Sequence, residues 1–391
     1  MPTAPESRLA SIAPLVAKRP ASDAGSCPAS TTCEVGSVGE RNVRVKWVSN
    51  SAYVANEVLG SLDLLLLLMD HMNAVSISDA ARVSRAWREA AAIKENQWRI
   101  LKPSHTISPA DGESHSLYSE FVATLPEVCG HATRLIVSDT HNNRLQCLDR
   151  DGLQKARYGR HGFMPGCFSK PRGLVCDDVG VFVVDSGNRR VQKLPLPKDG
   201  DWSGEPLAVS IGTGGEALRG PMGIALDRER VFVSDTYNHR IVAYDRHTLA
   251  FLFAFGRRGA RPGEFNCPCG IAAHEKRLYI ADNGNSRVQV FSVDGVFLHV
   301  LGAKLGASAV LFKAPYGVAV AAGRLIVSEN TEGRLQVLEL EGRPLQILTP
   351  QGVGVSREAS FWLYGLCANA ERAYVTDGCN GNVHVLDVRQ S

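Results

Sequence analysis

The 391-residue chain has no excess of either charge: 43 Lys and Arg against 40 Asp and Glu leave a formal net charge of +3. Such a balance gives no bulk attraction to nucleic acid or to an anionic membrane, so any functional charge must be local. Long hydrophobic runs are also missing. The apolar run Leu64–Met69 falls far short of the ~20 residues that span a bilayer. Leu9–Ala17 is broken by Pro14 and has no basic leader, so it does not read as a secretory signal. There are 10 cysteines but no C-x-x-C pair, and the single residue between Cys267 and Cys269 does not suit zinc. Isolated thiols of this kind read as small buried hydrophobes in a reducing compartment. These absences predict a soluble cytoplasmic or nuclear protein with no cofactor, no metal and no membrane partner. Residues 1–40 are short of aromatics and rich in Ala, Ser and Pro, the composition of a disordered tail. Their acids Glu6, Asp23 and Glu34 argue against a transit peptide.

What the chain does have is a repeat. Asp139-Thr-His-Asn-Asn-Arg144 returns as Asp185-Ser-Gly-Asn-Arg-Arg190, Asp235-Thr-Tyr-Asn-His-Arg240 and Asp282-Asn-Gly-Asn-Ser-Arg287. Worn copies begin at Glu329 and Asp377, and the steps between lead acids are 46, 50, 47, 47 and 48 residues. An apolar strand precedes each acid and another follows each basic residue. Five glycines, Gly173, Gly223, Gly270, Gly317 and Gly365, each open a further strand 12 residues before an acid. Fourth strands are clear at Phe251–Phe255 and Val296–Leu301. Strand-rich units on this period form propeller blades, and the count predicts a mainly β, six-bladed propeller over 114–391. Its last blade lacks an outermost strand, and an open edge would be poorly protected. Leu117–Leu125 is strand-like and is expected to close it against Val383–Leu386.

Ahead of the propeller, residues 58–102 carry helical spacing, with Leu62, Leu65, Leu68, Met69 and Met72 on one face. Ser76, Ser78 and Asp79 can cap a second helix bearing Val83 and Trp87. A short third helix carries Trp98 and is expected to end at Pro103. Residues 103–113 read as a linker, and Arg41–Val48 alternates like a strand.

The repeats resemble the NHL family of propellers. The run Phe255-Gly-Arg-Arg-Gly259-Ala-Arg-Pro-Gly263-Glu-Phe265-Asn-Cys-Pro268-Cys-Gly270-Ile271 carries that family's glycines, Phe and Pro-x-Gly, and Tyr158–Phe168 repeats it. The helical module, with Val83-Ser-Arg-Ala-Trp87-Arg88 and then Trp98, resembles an F-box. That resemblance implies docking of a Skp-family adaptor of a cullin ubiquitin ligase through Leu65, Leu68, Met72, Val83, Trp87 and Trp98.

An acid, Asn and Arg that recur in every blade read as architecture rather than catalysis, since Asp and Asn stabilise turns through their own backbone. The innermost strands offer apolar residues and no convergent metal ligands, so a lyase- or lactonase-like enzyme is the least favoured reading. The loops differ between blades. On the face shared with the hairpin turns they carry Arg160, His161, Lys170, Arg172, Arg219, Arg257, Arg258, Arg261, Lys304 and Lys313, and the turns add Tyr237 and His239. Such a face suits an acidic or phosphorylated segment of a protein substrate held for ubiquitination. The alternative ligand is single-stranded RNA, with Tyr237, His239 and Tyr316 stacking bases between the arginines. The extended loop around Trp202 is expected on the opposite face, with that indole either a partner contact or a cover for its loop.

Overall fold

The computed structural model describes residues 31–38, 41–48, 51–54, 101–108, 119–124, 134–149, 151–198, 201–210, 217–302, 312–349, 353 and 362–388. The chain divides into two compact units, Met1–Trp98 and Arg99–Ser391. In the first, Thr31–Val38, Arg41–Val48 and Ser51–Val54 form an antiparallel sheet with Arg41–Val48 in the middle. Thr31–Val38 falls inside the tail expected to be disordered. Its β-branched Thr31, Thr32, Val35 and Val38 favour a strand locally, a signal that composition averaged over 1–40 hides. The helical module, including Leu65, Leu68, Met72, Val83, Trp87 and Trp98, lies outside the described residues.

The second unit is built from six four-stranded antiparallel sheets, and in five of them each strand is hydrogen-bonded to its neighbour in chain order. Blade two is typical: Pro171–Cys176 is innermost, then Val181–Asp185, Arg190–Leu194 and the short outer Ala208–Val209. Val181–Asp185 is buried along its whole length, which is why it reads as an apolar run rather than an alternation. Its two faces pack on the blades to either side. Phe182 and Val184 of blade two meet Val231 and Val233 of blade three, and the same interleaving joins Leu335 and Val337 to Val375 and Leu386. The core is therefore a ring of inter-blade layers, and each fully buried Val or Phe contributes about 1.5–3 kcal/mol.

The Pro-x-Gly glycines have a steric cause. A Cβ on Gly173 would lie 2.2 Å from the carbonyl oxygen of Met222. Gly223 meets Cys269 O at 2.2 Å, Gly270 meets Tyr316 O at 2.3 Å and Gly317 meets Tyr364 O at 2.5 Å. Each inner strand thus abuts the backbone of the next around the axis. The side chains between Pro and Gly fill the middle. Tyr316 hydroxyl approaches Met222 Sδ at 3.6 Å, Cys269 Sγ lies 3.8 Å from the same sulfur, and Tyr316 packs edge-on to Tyr364 with ring centroids 5.0 Å apart. Met222 belongs to blade three and Tyr316 to blade five, so their contact closes the axis at this end. Beyond it lies a cavity of about 270 Å³ lined by the inner strands.

The ring closes as expected in principle but through a different segment. Leu101–Ile107 is the outer strand of blade six, with Val383 opposite Ile107 and Val388 opposite Leu101. It therefore occupies the end of the expected helical module and the start of the expected linker. Pro103 lies within it, beside a register irregularity, and an outer strand tolerates a missing N–H. Gln346 of blade five holds this strand, accepting from Leu101 N at 2.9 Å and donating to Leu101 O at 3.1 Å. Ser119–Thr124, part of the segment expected to close the ring, is instead the inner strand of blade one, with Ser119 opposite Asp139. Ser119 lies 20 residues before its acid, whereas Pro171, Pro268 and Pro315 lie 14 before theirs. The longer hairpin breaks the constant spacing and hides the strand.

Candidate recognition face

Every hairpin turn is built on a buried carboxylate. Asp185 Oδ2 accepts from Asn188 Nδ2 at 2.9 Å, Arg190 Nε at 2.8 Å and Gln192 Nε2 at 3.1 Å. Its Oδ1 accepts from the Ser169 backbone N–H at 2.7 Å. Asp282 gathers Asn285, Arg287, Gln289 and the Asn266 amide in the same way, at 2.9, 2.7, 3.0 and 2.7 Å. Glu329 substitutes in blade five, binding Arg334, Gln336 and the Lys313 amide. Burial pushes the Asp185 carboxyl above its ordinary pKa despite the donors around it. In blade six, burial also pulls Asp377 upward, but bonds from His384, Asn380 and the amides of Cys379 and Asn380 outweigh it and its pKa is lowered. The arginines reach on to the inter-blade connection: Arg287 donates to the carbonyls of Ala260, Arg261 and Glu264. The acid–Asn–Arg set is scaffold. Its fourth member, Gln seven residues after the acid in blades one, two, four and five, was legible as a fixed offset but is not part of the six-residue phrase.

These bonds tie the turns and the connections to one face. The connections 159–170 and 256–267 are built alike. Phe168 N–H donates to Arg160 O and Gly162 N–H to Phe168 O, and Phe265 and Gly259 repeat the pair with Arg257. Phe168 and Phe265 are fully buried anchors. Arg160, His161, Lys170, Arg257, Arg258 and Arg261 are left exposed at the surface.

The sequence-derived cations do not all behave as free charge. Arg257 Nη2 pairs with Glu264 Oε1 at 3.0 Å, and Lys313 Nζ with Glu332 Oε1 at 2.7 Å. Hydrogen bonds from the Arg261 amide and the Arg257 side chain hold Glu264 below the usual carboxylate range, and the Lys313 bond does the same for Glu332. Arg172 is the middle residue of Pro171-Arg-Gly173 on an inner strand and is half-buried, so it is not a loop cation. Tyr316 is buried in the axial plug and is not a stacking surface. Lys304 lies outside the described residues. The two basic connections are not adjacent either. They join blades one to two and three to four, and the connection of blades two to three, bearing Arg219, lies between them.

What the fold brings together is centred on the turn of blade three. Tyr237 N–H donates to Arg219 O at 3.0 Å, and the ring lies over Gly220, where an added Cβ would meet it at 2.4 Å. The residues equivalent to Tyr237 in blades two and four are Gly187 and Gly284, which sit against the connection; blade three places a phenol ring there. Tyr237 is 52% exposed. Two residues on, His239 adopts the left-handed region (φ 55°) and its Nδ1 accepts from Cys267 N–H at 3.0 Å. Desolvation lowers the His239 pKa, and Arg258 and Arg219 lower it further. A neutral imidazole and an exposed phenol ring thus sit among two guanidiniums with no acidic partner among the described residues. Arg219 is one of many loop cations in the sequence, and only the fold singles it out.

The opposite face is different. Three arginines there bridge blades: Arg246 to Asp177 at 2.6 Å, Arg230 to Asp294 at 2.9 Å and Arg277 to Glu341 at 3.5 Å. Trp202 is buried and covers its loop, donating to Pro195 O at 2.8 Å and packing 5.5 Å from Tyr158. Among the described residues no group of three or more His, Cys, Asp or Glu side chains converges to hold a metal ion. No described helix is long and apolar enough to cross a membrane.

Residues 265–291 match the family model of the NHL repeat. They run from the buried anchor Phe265 through the inner strand and hub of blade four. No curated protein matches the sequence. Among solved structures, a protein of unknown function from Bacteroides thetaiotaomicron is 16% identical with a TM-score of 0.51, covering 74% of this chain and 76% of that one. The WD40 repeats of RRP9 are 11% identical with a TM-score of 0.50, covering 71% and 78%. A virginiamycin B lyase from Staphylococcus aureus, inactivated and bound to quinupristin, is 13% identical with a TM-score of 0.44, covering 68% and 80%. At these identities the first two likenesses are ones of fold: a propeller, here with six blades and an NHL repeat.

Proposed function

We propose that the propeller is a recognition module that performs no chemistry and binds an acidic or phosphorylated protein segment on the face of its hairpin turns. The observation that carries this reading is the asymmetry of charge. Arg230, Arg246 and Arg277 on the opposite face are held in inter-blade ion pairs, whereas Arg219 and Arg258 stand unpaired beside Tyr237 and His239. Guanidinium forks suit carboxylate and phosphate oxygens. The axial plug keeps such a ligand on the loops rather than in the channel.

The F-box-like phrase Val83-Ser-Arg-Ala-Trp87-Arg88 supports a role for the whole chain as a substrate receptor of a cullin-type ubiquitin ligase. The propeller would hold the target near the enzyme and raise its effective concentration. The test is capture of a purified Skp-family adaptor by the full chain and by a Leu65→Asp, Leu68→Asp variant. Buried leucines at an interface are each worth a few kcal/mol, about a hundredfold or more in affinity for the pair. Loss of capture with an intact propeller melt supports the receptor reading; capture at equal affinity refutes it. A second reading rests on Tyr237, whose exposed ring between cations favours stacking of an RNA base. Competition decides between them: a phosphopeptide that oligouridine cannot displace excludes RNA as the ligand.

A further inference from the structure

His239 stands on the turn of blade three with its backbone in the left-handed region, and Asn143 holds the equivalent place in blade one at the same φ of 55°. Each accepts a hydrogen bond from the residue before the next blade's inner-strand proline. Lys170 N–H donates to Asn143 Oδ1 at 2.8 Å, and Cys267 N–H donates to His239 Nδ1 at 3.0 Å. An asparagine is therefore enough to tie the turn to the connection. The imidazole brings a second nitrogen, Nε2, which has no hydrogen-bond partner among the described residues.

The bond to Cys267 also fixes the tautomer. A backbone amide always carries its proton, so Nδ1 is the acceptor and the ring proton sits on Nε2. Protonating Nδ1 would set two N–H groups against each other. The surroundings oppose it too: desolvation, then Arg258 and Arg219, lower the pKa against an opposing pull from Asp282. His239 is thus a neutral donor.

Two cations are tied to the same turn. Arg219 N–H donates to Asp235 Oδ1 at 2.6 Å, and Tyr237 N–H donates to Arg219 O at 3.0 Å. Arg258 bridges to Phe265 within the connection that ends at Cys267. Both arginines are exposed. The turn therefore offers two fixed positive charges and one neutral N–H. A carboxylate or an RNA phosphodiester carries a single negative charge and leaves one cation uncompensated. A phosphomonoester carries close to two, and its three acceptor oxygens can take one donor each.

We propose that His239 Nε2–H and the guanidiniums of Arg219 and Arg258 form a subsite for the phosphomonoester dianion of a phosphorylated protein segment, the imidazole donating as a neutral group held by Cys267. This rests on the reading of the hairpin-turn face as the recognition surface.

The probe is a fluorescein-labelled glycine–serine peptide with one phosphoserine, titrated into the full chain and followed by anisotropy. A phosphate's second ionisation lies near pH 6, so affinity should rise about fourfold from pH 5.5 to 7.5 and hold to pH 8.5. A charged imidazole would instead lose affinity as the pH rises above 7. The other titratable or charged groups around the ring are Arg219, Arg258, Cys267 and Asp282, the last bound by Arg287 at 2.7 Å. His239→Asn keeps the left-handed turn and the acceptor, as Asn143 does, but its amide ends short of Nε2. It should bind at least about tenfold more weakly, the loss of one hydrogen bond to a charged group, at an unchanged melting temperature. Neither an oligouridine with hydroxyl ends nor the peptide with aspartate for phosphoserine should compete.

No binding by the wild-type chain, or equal binding by an Arg219→Glu, Arg258→Glu variant, removes the recognition surface and this inference with it. Binding that the arginine changes abolish, but that weakens above pH 7 or survives His239→Asn in full, overturns the role of the histidine alone. Competition by oligouridine or by the aspartate peptide overturns the choice of a phosphomonoester. The pH profile is read on the wild-type chain, so it decides even if the Asn variant does not fold.

Discussion

Asp282 shows what a single residue does here. Its side chain has no exposed surface, and its ion-pair partner Arg287 is 10% exposed. Removing one partner of such a pair leaves the other charge buried and uncompensated, a cost of about 3–5 kcal/mol. Asp282→Asn is therefore expected to lower unfolding free energy by about 3 kcal/mol in urea titration. Arg343 provides the contrast. It pairs with Glu339 four residues away, but at 68% exposure. Exposed pairs contribute about 0–1 kcal/mol, so Arg343→Ala should leave the midpoint nearly unmoved. Equal losses in the two variants would show that the hub carboxylate is not the anchor of its turn.

At the scale of the element, the blade's inner strand is where the sequence speaks most plainly. Pro-x-Gly repeats because each glycine lies against the next blade's backbone, with Gly270 at 2.3 Å from Tyr316 O. Backbone cannot swing aside as a flexible side chain can. Gly270→Ala should cost about 1–3 kcal/mol, the range of overpacked cores, and thermal melting measures it. Exposed Gly323 has open space around its Cβ position, so only its positive φ of 69° would penalise an alanine there. The same strand explains what could not be read. In blade one the Pro-x-Gly phrase is absent, Phe121 stands in register where the glycine would be, and the hairpin is longer. A constant offset finds strands only while the hairpin keeps its length. The hub glutamines follow a constant offset too, yet their meaning comes from a carboxylate seven residues back, which is a contact and not a propensity. Likewise, charge counts marked the basic loops, but whether Arg257 is free depends on Glu264 in the same loop, seven residues away and brought back by the turn.

For the whole molecule, ring closure couples the two ends of the propeller. Leu101–Ile107 completes blade six, and Gln346 clamps it from blade five. A chain beginning at residue 99 should fold and melt cooperatively, whereas one beginning at residue 109 should melt lower, having lost the closing strand and exposed an edge. Identical melting temperatures for the two would contradict this closure. The same ring sets an asymmetry of charge, with Arg230, Arg246 and Arg277 paired between blades on one face and Arg219 and Arg258 left available on the other. The most direct measurement of that claim is the affinity of the full chain for a fluorescein-labelled peptide of alternating phosphoserine and glycine, compared with an Arg219→Glu, Arg258→Glu variant. Charge-assisted hydrogen bonds are worth about 1.5–3 kcal/mol each, so losing two should weaken binding by about a hundredfold or more. The account predicts that loss with an unchanged melting temperature; a variant that binds the peptide as tightly as the wild type would contradict it.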